Sequence, residues 1–549
     1  MRNPFRTDIG AAISQDDAFA DPVAESNWFL TSAERGNTAT RLDSGRQGVA
    51  WTTGNLVVPL AHGRHYYKRL RHEIAQANVD DTVLFTDWRG DPDELLDGPG
   101  TAVADVLSNA ARRGVRVKGL IWRSHPDRTR FSEEENRDLA IAVNEAGGDV
   151  RLDERVRRAG SHHQKLFIVL HNNEPHRDVA FVGGIDLCHG RNDDEIHMGD
   201  PQAAVMDPRF GPTPAWHDVQ AEVRGPAVSE LVDTFIERWN DPHPLRHRTI
   251  PRPGISSNHP GKPLTKLDLP LDASEVIGPH SVQVLRTYPA KRPRYPFAPR
   301  GERSIALAYL KAFKRARRLI YIEDQYFWSA DAARALGRAL LAQPKLRLVV
   351  VLPRFPDEDG RFSGPPNRIG QLAAIKHLRS IAGPRVAVYD LETERFPIYV
   401  HSKVCVIDDV WMTIGSDNMN RRSWTHDSEL SCAILDERRD DRHPIDPAGL
   451  GDGARVLARE TRLALWREHI QTSDVATEID EGFDQLRICA DLLDQWHATG
   501  RQASRPPGRL RHHNPQPVSR ARQITASLMY RLVNDPDGRP LSLRLRRSF

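Results

Sequence analysis

Two short runs in this 549-residue chain combine residue types suited to chemistry at phosphorus: Ser161-His-His163-Gln-Lys165 and Tyr399-Val-His401-Ser-Lys403. A histidine and a lysine at i and i+2 of a strand point to one face, so imidazole and ammonium converge on one spot. With 23 histidines and 11 lysines in the chain, about 0.5 such triplets arise by chance, so one alone means little. Each triplet, however, opens an apolar strand. A second strand follows and ends in a small-residue turn, Gly183-Gly184-Ile-Asp186 in one case and Gly415-Ser416-Asp-Asn418 in the other. Each run then offers an acid at the head of an alternating strand, Asp218 or Glu429. Four matched features in one order indicate a duplicated site. If the halves pack about a pseudo-twofold axis, two imidazoles, two ammonium groups and accessible turn N–H groups surround a phosphate-sized anion. One imidazole then suits nucleophilic attack and the other general acid catalysis, each oriented by an acid on its second ring nitrogen.

The elements that position these residues also repeat. In the first half, helical spacing over Tyr67–Ala77 precedes the strand Thr82–Thr86, and a helix at Thr101–Arg113 precedes the strand Val115–Trp122. In the second half, helix Ser304–Arg317 precedes strand Leu319–Glu323, and helix Ala332–Leu341 precedes the apolar strand Leu346–Leu352. Helices alternating with apolar strands predict an α/β fold with a buried sheet covered on both faces. The organisation expected is an N-terminal segment 1–50, a first half 51–240, a Pro/Gly/His-rich linker 241–280, a second half 281–475, and a C-terminal helix and Arg-rich tail 476–549.

Composition narrows the classes. The chain is 39% hydrophobic and 28% charged, which fits a globular protein, and no apolar run reaches the length of a membrane span. Four cysteines without a CxxC pair make neither a disulfide framework nor a zinc knuckle. No apolar leader is evident at the N-terminus, so a cytoplasmic protein peripheral to a membrane is expected, with export by a signal-less route left open. The net charge of +3 conceals an asymmetry, because residues 501–549 hold eleven arginines and two aspartates and the remainder is net acidic. The tail's last residues, Leu541–Phe549, alternate like a short strand with one basic face. Arginine fills 66 of 77 basic positions, yet lysine stands in both triplets, where a compact ammonium fits beside an imidazole and a guanidinium fork is too wide.

At these residues the chain resembles the phospholipase D superfamily, whose signature is a duplicated His-x-Lys-x4-Asp followed by Gly-Ser/Gly-x-Asn/Asp. The resemblance covers roughly residues 51–475 and extends to Trp216-His-Asp218, Tyr321–Phe327 and Gly415–Ser423. It implies two αβαβα-sandwich halves with one active site at their interface. By the same resemblance His163 is the nucleophile that forms a covalent phosphohistidine, and His401 is the general acid. Lys165 and Lys403 bind phosphoryl oxygens, Asp186, Gly184, Ser416 and Asn418 complete the phosphate shell, and Asp218 and Glu429 hold the histidines. Asp408 closes the second motif and is counted with the catalytic set by the same resemblance, whereas Leu170 stands where the first motif's Asp belongs and is expected to start an inserted loop, His171–Asp178.

The flanking blocks look most like the phosphatidylcholine-cleaving members. They imply a monomer acting on a glycerophospholipid at a membrane surface, with water or an alcohol as acceptor, and with no cofactor, metal or obligate nucleic acid. The motif-bearing sequence begins near residue 51, so no N-terminal lipid- or calcium-binding module is expected. Three alternatives stand beside this reading: a cardiolipin-synthase-like phosphatidyltransferase, a nucleic-acid phosphodiesterase of the same superfamily, and a non-catalytic polyanion binder.

Overall fold

The computed structural model describes residues 22–42, 48–124, 132–203, 206–245, 266–269, 275–357, 364–515, 517–546 and 548–549. Most of the expected linker (246–265 and 270–274) and parts of the N-terminal segment (1–21 and 43–47) lie outside the described residues.

The first half contains β1 (Thr52–Ala61), β2 (Thr82–Asp87), β3 (Arg116–Trp122), β4 (Asp149–Asp153), β5 (Leu166–Leu170), β6 (Val179–Gly183), β7 (Ala215–His217) and β8 (Val219–Arg224). Its sheet runs β1-β8-β6-β5-β2-β3-β4, antiparallel as far as β2 and parallel beyond it. The second half contains β9 (His280–Tyr288), β10 (Glu302–Arg303), β11 (Leu319–Glu323), β12 (Arg347–Val351), β13 (Val386–Glu392), β14 (Pro397–Val400), β15 (Val404–Ile407), β16 (Trp411–Gly415) and β17 (Glu429–Asp436). Its sheet runs β9-β17-β16-β15-β11-β12-β13 with the same change from antiparallel to parallel. The two seven-stranded orders superimpose strand for strand. A short antiparallel β1–β9 pairing joins them.

The layers follow from where apolar side chains go. Helices Gly63–Gln76, Val103–Arg112 and Glu133–Glu145 bury Tyr67, Leu107 and Leu139 against Val83, Phe85 and Val117 on the outer face of the first sheet. Helices Ser304–Arg315 and Ala330–Ala342 cover the second sheet in the same way, around Ile320, Val350 and Trp411. The inner faces share one core, in which Leu84, Ile168, Val284 and Val406 meet helices Ala227–Trp239 and Val456–Ile470. Sheets buried on both faces explain strands with almost no polar alternation. The expected αβαβα layering is the observed one.

Three details differ from expectation. Leu541–Arg546 forms a helix rather than a basic strand, and the C-terminal strand is instead β18 (Leu510–His512), which pairs with β13. Residues 22–42 bridge the halves: Leu30 N–H donates to Gln283 Oε1 at 2.9 Å and Arg35 pairs with Glu302 at 3.2 Å on the second, while Arg41 N–H donates to Glu237 Oε1 at 2.6 Å on the first. Leu170 does not begin a loop; it ends β5, pairs with Thr82 and lies in the core.

That pairing explains how Leu replaces Asp. In the second half, Asp408 Oδ atoms accept from the N–H groups of Arg317, Arg318 and Leu319 at 2.7–2.8 Å, tying the end of β15 to the start of β11. In the first half Asp81, just before β2, accepts from Asn78 N–H and Asn172 N–H, both at 2.7 Å. The same strand ends are tied, with the carboxylate supplied from the opposite strand. Asp408 is therefore a structural brace, away from the reacting groups.

Candidate active site

Parallel pairing sets the two His-x-Lys segments against each other's halves. His401 N–H and Ser402 N–H donate to His217 O at 2.8 and 3.2 Å, continuing the pairing of β14 with β7. Likewise His163 N–H donates to Ser428 O at 2.9 Å, beside a parallel bridge between His162 and Ser428. Each His segment thus runs alongside the residues that precede the other half's acid. The carboxylates are exchanged as a result: His401 Nδ1 lies 2.6 Å from Asp218 Oδ2, and His163 Nδ1 lies 2.9 Å from Glu429 Oε2. Neither half contains a complete histidine–acid pair of its own.

Alternation along the segments leading into β5 and β15 decides which way each side chain faces. His162 turns away to Gln164 Oε1 at 3.2 Å, leaving His163 and Lys165 on the site face. Lys165 Nζ donates to His163 O and pairs with Asp186 Oδ1, both at 3.1 Å. Lys403 Nζ donates to His401 O and, at 3.4 Å, to Gln325 Oε1. Asn418 Oδ1 is buried with no hydrogen-bond partner among the described residues. Trp88 lies edge-on to His163, and Trp216 packs at 5.0 Å on His401, with the Arg191 guanidinium 4.0 Å from the Trp216 ring centroid.

The turn residues divide into two groups. Asp186 sits with the Lys165 ammonium group, and Asn418 is buried at the matching position of the other turn. Gly184 and Ser416, expected on the phosphate, are turned instead to the acids. Ser416 Oγ donates to Glu429 Oε2 at 2.6 Å and accepts from Leu430 N–H. At the matching position a Cβ on Gly184 would fall 2.2 Å from Asp218 Oδ1, so only glycine lets the turn pass that carboxylate.

Sequence reasoning missed a further symmetric pair. Asp87 Oδ2 accepts from Leu187 N–H at 3.0 Å, and Asp324 Oδ2 accepts from Met419 N–H at 2.7 Å. Each stands just after the strand position that pairs with the His-x-Lys strand, and each grips the residue following Asp186 or Asn418. An acid closing the matching strand of both halves was the available signal.

Burial controls the protonation states. It holds the His163 and His401 imidazoles well below the ordinary histidine range, reinforced by Lys165 at His163 and by Lys403 and Arg191 at His401. Burial, with Asp427 nearby, pushes Glu429 up to about 8, and burial also raises Asp218. Lys403 falls to about 8 through burial, with Lys165 adding like-charge repulsion. Burial and the adjacent Asp186 hold Asp87 protonated far above the usual carboxylate range; Asp186 itself stays ionised because Lys165, Asp87 and Arg191 outweigh its burial. Two buried lysines and two imidazoles whose burial favours the neutral form therefore face one another across the halves. They can stabilise charge on a phosphoryl group and exchange protons on either side of it.

Residues 92–250 match the family model described as phospholipase D, and residues 309–441 match the one described as cardiolipin synthase, PLD-like domain. Phospholipase D alpha 2 of Oryza sativa subsp. japonica is 26% identical over 557 residues, covering 75% of this chain and 65% of that protein. Phospholipase D gamma 3 of Arabidopsis thaliana is 26% identical over 553 residues, covering 80% of this chain and 62% of that one. The chain thus spans less than two thirds of these relatives. In fold it is similar to the phosphatidylserine synthase of Haemophilus influenzae Rd KW20, with a TM-score of 0.51 at 13% identity over 87% of this chain and 94% of that one. With one matching domain around each His-x-Lys site and the duplicated sandwich beneath them, the chain belongs to the phospholipase D superfamily.

Proposed function

We propose that the protein is a phospholipase D-type phosphodiesterase that cleaves the distal phosphodiester of glycerophospholipids, such as phosphatidylcholine to phosphatidic acid and choline. The observation that carries this reading is the exchange of carboxylates, His163–Glu429 and His401–Asp218, which makes two oriented imidazoles face one cationic pocket. In the first step His163 Nε2 attacks phosphorus while His401 Nε2–H protonates the departing alcohol oxygen; a P–N bond forms and a P–O bond breaks. In the second step His401 Nε2 takes a proton from water, whose oxygen displaces His163 and releases phosphatidic acid. The Lys165 and Lys403 ammonium groups donate to the phosphoryl oxygens through both steps, joined by the side-chain NH₂ of Asn418.

Surface features support a lipid aggregate as substrate. A cleft of about 1310 Å³ is lined by Arg157, Arg158, Lys291, Arg292, Arg294, Arg300 and Arg303, with no carboxylate among its lining residues. Beside it Leu541 is 69% exposed, and Leu528, Leu532 and Leu545 are exposed in the same C-terminal region. Cations next to exposed leucines match an anionic bilayer surface. Among the described residues no helix is long and apolar enough to cross a membrane. Reversing Arg292, Arg294 and Arg300 to glutamate is expected to weaken co-sedimentation with anionic vesicles at least about 100-fold, since each basic residue contributes about 1 kcal/mol there. Turnover of a short-chain monomeric substrate should hold near the wild-type value; unchanged vesicle binding would remove this surface from the account.

Incubation with phosphatidylcholine vesicles and a little ethanol tests the whole reading. Choline, phosphatidic acid and phosphatidylethanol are expected, the last because a covalent intermediate is open to any small alcohol. Cleavage of single-stranded DNA with no phospholipid product would overturn it. The match of residues 309–441 to a cardiolipin-synthase-like domain favours a second reading, phosphatidyl transfer to a lipid hydroxyl, through the same intermediate. Adding phosphatidylglycerol as acceptor distinguishes the two.

The protonation states predict a pH profile. The His163–Glu429 pair with both groups neutral carries two protons; losing one leaves a single proton on Nδ1 and frees Nε2 for attack. Because burial raises Glu429 to about 8, kcat/KM should climb as pH rises toward that value, with the limb belonging to the pair rather than to either residue. A flat profile between pH 6 and 9 would contradict the assignment.

A further inference from the structure

Behind the strand that carries His401 lies a second cluster of ligand-type side chains, which the phosphodiester reaction does not use. His62 precedes helix Gly63–Gln76, His197 sits in a loop, His217 ends β7, and Glu468 projects from helix Val456–Ile470. The three histidines are buried. Their ring nitrogens converge on one carboxylate: His62 Nε2 lies 2.8 Å from Glu468 Oε2, while His197 Nε2 and His217 Nδ1 lie 3.1 and 3.2 Å from Oε1. One donor atom from each of the four falls within 4.8 Å of the others. A tetrahedral centre with Zn–N bonds of about 2.0–2.1 Å sets its donors about 3.3 Å apart, so small ring movements suffice to enclose an ion.

Hydrogen bonding within the cluster does not account for all of its atoms. His217 Nδ1 lies close to Glu468 yet is misaligned for a hydrogen bond, and His62 Nδ1 is buried without a partner. Two of the rings are also held from behind as ligating imidazoles are. His217 Nε2 lies 2.8 Å from Glu323 Oε2, and His197 Nδ1 lies 3.3 Å from Asp193 Oδ2. A proton on His217 Nε2, facing Glu323, leaves the Nδ1 lone pair directed at the centre of the cluster. Glu323 is anchored in turn by His469 Nε2 at 2.8 Å and Ser402 Oγ at 2.6 Å. Bound to an ion the three imidazoles add no charge, and the carboxylates of Glu468, Glu323 and Asp193 exceed the two positive charges of a divalent ion by one. The donor set of nitrogen and oxygen suits zinc-type ions rather than magnesium or calcium, which take oxygen.

We propose that His62, His197, His217 and Glu468 form a four-coordinate site for a zinc-type divalent cation that braces the strand behind the general acid. His217 O accepts from His401 N–H, and the next residue, Asp218, holds His401 Nδ1, so an ion on His217 fixes both supports of that ring at once. Asp193 Oδ2 also accepts from Trp216 N–H at 2.8 Å, which extends the brace to the indole packed on His401. The role is one of positioning, since no ligand is shared with the phosphoryl pocket. The site stands independently of which phosphodiester is cleaved.

The test uses the full chain, stripped with a chelator and titrated with Co²⁺ and then with Zn²⁺. One equivalent of Co²⁺ is expected to give the intense visible bands of four-coordinate cobalt, displaced by one equivalent of Zn²⁺, and Tm should rise by several degrees. His197→Gln and His62→Asn should lose that site, with Zn²⁺ affinity down by more than about 100-fold, and Asp193→Asn should lose about 10- to 100-fold. Should a variant fail to fold, the cobalt spectrum of the wild type decides alone. Absence of a stoichiometric four-coordinate spectrum in the wild type, or equal uptake by folded variants, overturns the proposal.

Discussion

His163→Ala is expected to lower turnover by about 10⁴- to 10⁶-fold, the scale on which deletion of a covalent nucleophile acts elsewhere. Without its Nε2 no P–N bond forms, and the remaining pocket can only bind the phosphoryl group. His401→Ala should be as damaging with choline or ethanolamine as leaving group, because neither alkoxide departs unprotonated. With a nitrophenyl phosphodiester, whose leaving group needs no proton, the two variants should part. His401→Ala should then release one rapid equivalent of nitrophenolate and retain the phosphoryl group on the protein, and His163→Ala should show no burst. The reverse pattern would exchange the two roles. Position in the chain leaves this order open, and the site itself is nearly symmetric; the imidazoles differ mainly in exposure, 16% for the His163 side chain against 5% for His401.

Asp218→Asn should cost about 10⁴-fold in kcat, the penalty known for turning a catalytic imidazole to the wrong tautomer. The mechanism needs His401 to pass through its doubly protonated form, which the carboxylate 2.6 Å from Nδ1 stabilises. An asparagine NH₂ donating to Nδ1 forbids that form. Stability should move the other way. Burial raises the Asp218 pKa above its ordinary value of 3.8, so the native state holds that proton more tightly than the unfolded chain does. Stability therefore falls as pH rises from about 4 through the raised folded value, and a neutral amide escapes this loss. At pH 7–8 the variant should melt at or above the wild-type temperature while turning over far more slowly. A lowered Tm with proportionate loss of activity would reduce Asp218 to a packing role.

The exchange of acids between halves has a consequence for the duplication. Glu429 serves His163 and Asp218 serves His401, so neither repeat is catalytically complete alone. Tolerance of Leu170 in the first motif fits the same view: Asp81 supplies the strand tie from the opposite side, and the site face is unaffected.

Much of this was legible in the residues themselves. Period-two alternation places His163 with Lys165 and His401 with Lys403 whatever surrounds them, and the repeated order of apolar strands and helices implies two buried sheets. Short-range rules of this kind depend only on neighbouring residues. The crossing of the carboxylates, the turning of Ser416 and Gly184 toward those carboxylates, and the grip of Asp87 and Asp324 on the two turns were beyond such rules. Each depends on strands hundreds of residues apart meeting in one register. The helical Leu541–Arg546 shows the same limit, since six alternating residues suit either a strand or a helix until their surroundings choose. The His62–His197–His217–Glu468 cluster is the extreme case, with four donors from four segments and no common spacing. The sequence by itself determined the residue types, the duplication and the face each catalytic pair occupies; only the tertiary structure decided which acid holds which histidine, because that choice is made by the packing of one half against the other.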